Sequence, residues 1–158
     1  YARRTGFEVV GRDGLTLTDA WRGGVRTLHG LYVHGFPNLF VESIAQSGFT
    51  VNFPYLLDVQ ATQVAWIINW ALTHGATEVE ATTEAEAGWV DAVLARSTGS
   101  VERARNCTPG YYNREGHATA ATRQGSFFLG GPTEYAEILQ AWRDDGGLGG
   151  LDVRGGSR

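Results

Sequence analysis

Apolar and polar residues are spaced along this chain in two periods, and the change between them divides it. Thr27–His34 alternates loosely, and Leu39–Val41 is a short continuous apolar run after Pro37-Asn38. Both read as strands, the second as one buried on two faces, because it has no polar alternation. From about Asn52 the period becomes helical. Leu57, Ala61, Val64, Ala65, Ile68 and Leu72 recur as one apolar stripe over roughly five turns. Asn52 or Thr50 suits the cap, Pro54 is tolerated in the first turn, and His74-Gly75 is a stop.

A second helix is expected from Thr83. Thr83 and Glu86 have capping-box spacing, and Trp89/Val93 and Val90/Leu94 are apolar pairs one turn apart. The stretch Cys107–Gly131 keeps no period and reads as a long loop, a feature usually tied to function or motion. Pro132 then opens a last helix, with Tyr135, Ile138, Leu139 and Trp142 on one face. Past Asp145 the chain is mostly glycine, and a frayed tail is expected. Before the first strand, Phe7–Val10 is a brief apolar pulse, and Gly11-Arg12-Asp13-Gly14 is a turn signal.

Composition narrows the class. With 42% hydrophobic and 19% charged residues in 158 positions, the chain is globular and can build one ordinary core. The net charge of −4 disfavours nucleic acid, which needs clustered positive charge. All thirteen basic residues are arginine, which reads as genome composition before any phosphate-binding role. No run is long and apolar enough to span a membrane. One cysteine, Cys107, excludes an internal disulfide framework and favours a reducing cytoplasm. The chain starts at Tyr1 and holds no methionine, as expected of part of a longer polypeptide whose N-terminal portion is missing.

Few side chains form a chemical constellation. His29 and His34 lack acidic or cysteine partners at metal-ligand spacing, so hydrogen-bonded histidines outweigh a zinc site. Glu78, Glu80, Glu84 and Glu86 cluster at a helix start, where a solvated, dipole-favoured face outweighs a metal or acid–base role. Cys107 with His117 is a weaker nucleophile–base pairing, because nothing local lowers the thiol pKa. The turn Gln46-Ser47-Gly48-Phe49-Thr50 is the more informative element. Gly48 permits close backbone approach, Ser47, Thr50 and Asn52 supply donors, and a helix dipole follows. An anionic or carbonyl-rich ligand edge would be favoured there, and an ordinary strand-to-helix turn is the equal alternative.

Five segments, in order, bear a family resemblance: Arg3–Phe7, His34–Phe40, Gln46–Pro54, Cys107–Gly116 and Gly130–Trp142. Together they resemble the C-terminal part of the flavin-dependent Baeyer–Villiger monooxygenases, GFPNLF followed by QSGFT-x-NF being the most specific part. The resemblance implies an α/β fold: the C-terminal portion of a two-dinucleotide-binding flavoprotein, with a helical C-terminal extension. Residues 1–75 would end the FAD-binding domain, and 76–158 would be the extension, holding a mobile loop at about 107–131.

It also implies FAD and NADPH as cofactors, a small-molecule ketone and O₂ as substrates, and an ester or lactone as product. Gln46, Ser47, Gly48, Phe49 and Asn52 would border the cofactor. Thr108, Tyr111, Tyr112, Asn113 and Gly116 would lie on a substrate- and NADP-side loop that closes over the site. No catalytic residue and no metal ligand is implied within the chain, and alone it would be inactive. Two departures bear on pocket shape. Glu42-Ser43-Ile44-Ala45 stands where many relatives have glycines, and Thr108 stands where several have tryptophan. An N- or S-oxygenating flavoprotein, another FAD/NAD(P)-dependent oxidoreductase, or a stand-alone α/β binding module without catalysis are the alternatives.

Overall fold

In the computed structural model, residues 2–97, 108, 124–146 and 148–155 are described. The elements run α1 (Ala2–Thr5), α2 (Leu17–Ala20), α3 (Phe53–His74), β1 (Glu78–Ala81), α4 (Thr83–Arg96), α5 (Gly131–Asp144) and β2 (Leu151–Arg154). β1 and β2 form an antiparallel pair in which Glu78 faces Arg154 and Ala81 faces Leu151.

α3 has the expected bounds for the expected reasons. The Asn52 side chain accepts from Tyr55 N, Pro54 lies in the first turn, and Gly75 closes the helix with φ of 70°. Its buried face is not the expected one. Leu56, Gln60, Gln63 and Ile67 point inward, whereas Ala61, Ala65, Ile68 and Leu72 are exposed and Leu57 and Val64 half-buried. The stripe read from hydrophobicity is centred about a third of a turn from the buried face. Gln63 is bonded at both ends, donating to the Tyr32 hydroxyl and accepting from Arg143, whereas Gln60 donates to Ser43 O and leaves its Oε1 without a hydrogen-bond partner.

The two expected strands at Thr27–His34 and Leu39–Val41 are not strands. Only isolated bridges remain, Leu28 to Tyr32 and Tyr32 to Phe40. His29, Gly30, Gly35 and Asn38 all take positive φ, and each breaks an extended run. The segment coils into the core, burying Leu28, Leu31, Tyr32, Val33 and Phe36. The tail corrects the expectation in the other direction. Leu151–Arg154 is a strand, so the end of the described chain is fastened rather than frayed.

α4 begins one residue before the capping-box reading. Thr82, not Thr83, is the cap, accepting from Ala85 N. Glu86 therefore sits at the fourth helical position and does not cap. It is buried, accepting from Arg26 Nε at 3.0 Å and from His34 N at 3.0 Å. Glu80, equally buried, accepts from Arg12 Nε at 2.8 Å and from Gly35 N at 2.9 Å. The solvated-face reading of the acidic cluster fails for these two and holds for the exposed Glu84. Glu78 is half-buried, and the hydrogen bond from Arg12 holds its carboxyl below the ordinary range.

One core cluster joins the coiled segment to all the long elements: Leu31 and Tyr32, Leu56 and Ile67 of α3, Trp89 and Val93 of α4, and Tyr135 and Leu139 of α5. A second, smaller cluster holds Leu17, Val33 and Phe36. α5 buries its expected face, Tyr135 and Leu139, with Ile138 and Trp142 partly buried against the same core. No helix among the described residues is long and apolar enough to cross a membrane.

Candidate cofactor-facing site

The turn before α3 divides at Gly48. Gln46 is fully buried at φ of 58°, and all its polar groups are engaged. Its backbone N donates to Ser126 O, and its carbonyl accepts from the Trp89 indole at 3.0 Å. Its side-chain Oε1 accepts from the Thr27 hydroxyl at 2.5 Å, and Nε2 donates to Val25 O and Gln124 O, both at 2.8 Å. Ser47 is fully buried and donates to Ser43 O at 2.6 Å. Gly48 forms a parallel bridge with Phe128, and a Cβ there would lie 2.8 Å from Tyr135 Cβ. The glycine is needed for α5 to pack.

From Phe49 the chain turns outward. Phe49 stacks on Phe127 with centroids 4.4 Å apart and keeps 45% of its surface exposed. Val51 is 99% exposed, with Phe53 and Tyr55 exposed beside it. Asn52 is exposed but committed to Tyr55 N, and Asn52 N donates to Thr50. Pro54, in the first turn, has no N–H to offer.

Of the expected donors, Ser47 points into the protein, as Gln46 does, whereas Thr50 is half-buried and Asn52 exposed, each accepting from a nearby backbone N–H. What faces outward is a run of apolar surface with little hydrogen-bonding capacity. That surface suits van der Waals contact with an apolar group, such as the face or dimethyl edge of an aromatic ring system. It does not fit a pyrophosphate, which needs several convergent N–H groups. Of the expected loop residues, Thr108 is exposed. Tyr111, Tyr112, Asn113 and Gly116 lie outside the described residues, as do Cys107 and His117.

The histidines separate in role. His34 Nδ1 is 2.9 Å from Ala81 O, and its Nε2 is 3.1 Å from the Thr83 hydroxyl. His29 is enclosed edge-on between Trp89 and Trp142, and its Nδ1 has no partner. Burial pushes its pKa down to about 4, so the ring is neutral near pH 7. No three His, Cys, Asp or Glu residues gather as a metal site among the described residues. Sequence reasoning missed the partners that lock the turn, Trp89, Thr27 and Gln124. They are 43, 19 and 78 positions from Gln46, and no local signal links them.

No protein-family profile matches the chain. Known structures nevertheless share its fold: the chain, of mixed helix and strand, superposes on one portion of ketone and steroid monooxygenases. The FAD-binding monooxygenase hmp7 of Hypomyces subiculosus is 44% identical over 149 residues, covering 94% of this chain and 25% of that protein. The polycyclic ketone monooxygenase of Thermothelomyces thermophila superposes with a TM-score of 0.87 at 35% identity, over 98% of this chain and 25% of that one. A steroid monooxygenase bound to NADP gives a TM-score of 0.77 at 30% identity, over 94% of this chain and 26% of that one. The chain is a homologue of one portion of the Baeyer–Villiger monooxygenases, and it spans about a quarter of the length of the relatives it matches.

Proposed function

We propose that this chain is part of an NADPH- and O₂-dependent flavin monooxygenase that converts ketones to esters or lactones. The observation that carries this is the 44% identity to an FAD-binding monooxygenase across 94% of the chain. FAD, once reduced by NADPH, would activate O₂, of which one atom goes beside the ketone carbonyl and the other leaves as water. Within the chain, Phe49, Val51, Phe53 and Tyr55 form an apolar wall that excludes water from that chemistry. The positive end of α3 favours developing negative charge by on the order of 1 kcal/mol. Gln46, Ser47 and Gly48 support this wall from behind, and Phe49 and Asn52 are its cofactor-side members. Thr108, Tyr111, Tyr112, Asn113 and Gly116 are proposed as the NADP- and substrate-side residues that close the site. A cytoplasmic setting accords with the single cysteine.

Grafting residues 2–155 in place of the matching quarter of the polycyclic ketone monooxygenase tests this reading. The expected chimera retains FAD and oxidises NADPH in a ketone-dependent way, with ester or lactone formed. Oxidation of amines or sulfides with no reaction of ketones would move the assignment to heteroatom oxygenation. A chimera that folds but releases FAD would remove the cofactor-facing role.

A further inference from the structure

Gln46 was expected at the cofactor, yet every one of its hydrogen-bonding groups is spent inside the protein. The bonds reach three separate places: Val25 and Thr27 at the start of the coiled segment, Trp89 on α4, and Gln124 and Ser126 just before α5. Such saturation at a fully buried, positive-φ position fixes the backbone direction of the residues that follow.

Two features carry that constraint outward. Phe128 N donates to Ser47 O at 2.9 Å, and Phe49 lies on Phe127. The turn 46–49 and the stretch 124–128 are therefore bonded side by side through Gln46 N to Ser126 O and Phe128 N to Ser47 O, with Gln46 at one end and the exposed Phe49, stacked on half-buried Phe127, at the other. Gly48 against Tyr135 closes the back of this assembly, so it cannot relax toward α5. Thr27 contributes twice, donating to Gln46 Oε1 and accepting from Gly30 N at 3.1 Å.

We propose that Gln46 is a positioning residue: it clamps turn 46–49 to stretch 124–128 and so sets the place of the Phe49–Phe127 pair in the reaction-site wall. The second half of that statement rests on the function proposed above; the clamp itself does not. Removing the amide leaves Val25 O, Gln124 O and the Thr27 hydroxyl without their partner and frees the turn. A wall displaced by even about 1 Å admits water and misplaces the ketone, an error capable of lowering productive turnover by up to about 100-fold.

The test compares Gln46→Ala with Leu17→Ala in the chimeric holoenzyme. Leu17 belongs to the separate core cluster, so its variant lowers stability without touching the clamp. The measurements are ester formed per NADPH consumed, peroxide released, and ketone KM, each on FAD-loaded protein. Gln46→Ala is expected to lower ester per NADPH about tenfold and to raise KM, while Leu17→Ala stays within about twofold. Equal coupling in the two variants would overturn the positioning role. Should Gln46→Ala fail to load FAD, Thr27→Val decides, since it removes one bond of the clamp. Its expected loss of coupling is about twofold to threefold, and wild-type coupling would refute the proposal. If the unmutated chimera shows no ketone turnover, the function proposed above fails instead. Hydrogen exchange then tests the clamp alone: Gln46→Ala should expose peptides 47–50 and 124–128 together, and unchanged protection in either would refute it.

Discussion

α3 and α5 pack against the same core but obey different rules. α5 is an ordinary surface helix: Tyr135 and Leu139 face inward, and Thr133, Glu137, Gln140 and Asp144 face out. α3 does the opposite. It buries Gln60 and Gln63, exposes Ala61, Ala65, Ile68 and Leu72, and over 22 residues carries one carboxylate, Asp58, and no lysine or arginine. A helix apolar on both sides is one meant for burial on both sides. The contrast lies on the outer faces: that of α5 is polar, while that of α3 carries Ala61, Ala65, Ile68 and Leu72. It teaches that the strongest apolar stripe in a sequence need not face the core that is present.

The sharpest way to break the comparison is to truncate both inner faces. Leu139→Ala and Ile67→Ala should each lower unfolding free energy by about 2–5 kcal/mol in denaturant titrations. Losses well under that for Ile67 alone would mean α3 is not seated as described. Next in size is the pH response of His29, which lies against Trp142 of α5 and whose carbonyl accepts from the Tyr135 hydroxyl. Its folded pKa, about 4, lies below the ordinary 6.5, so the unfolded chain binds the proton first. Stability is therefore full above about pH 6.5 and falls toward pH 4, by about 3 kcal/mol. His29→Asn, which tolerates positive φ, should flatten that slope.

Gln63→Ala, which breaks the link from Tyr32 through Gln63 to Arg143, should cost about 1–3 kcal/mol by the same titrations. The smallest effect sharpens the contrast most. Leu72→Glu, on the exposed face of α3, should change the stability of this chain by less than about 0.5 kcal/mol. In the chimera the same change should lower the yield of FAD-loaded protein. A large loss in the isolated chain would show that this face is already covered.

What the sequence disclosed was local. The bounds of α3 were legible from Asn52, Pro54 and Gly75, because capping is decided by neighbouring residues. The face of α5 was legible because charge and hydrophobicity agree there. The inner face of α3 was not, since Gln60 and Gln63 enter the core only through bonds to Ser43, Tyr32 and Arg143. Positive φ at His29 and Asn38 undid two expected strands, and non-glycine residues give no clear warning of it. The turn before α3 drew attention in the sequence through Gly48 and the helix that follows it. The bonds of Gln46 were hidden, because Thr27, Trp89 and Gln124 lie 19, 43 and 78 positions away.

The β1–β2 pair sets an order of events during synthesis. Glu78 and Arg154 are registered across 76 positions of chain, and Arg12 reaches the same carboxylates, Glu78 and Glu80, from the other end. β1 cannot acquire its ladder until β2 has left the ribosome. Until then the buried positions of β1 and the carboxylate of Glu80 have only their earlier partners. Because closing so long a loop is entropically slow, this seam should form late in folding, and a nascent chain halted before Leu151 should leave β1 open to other strands.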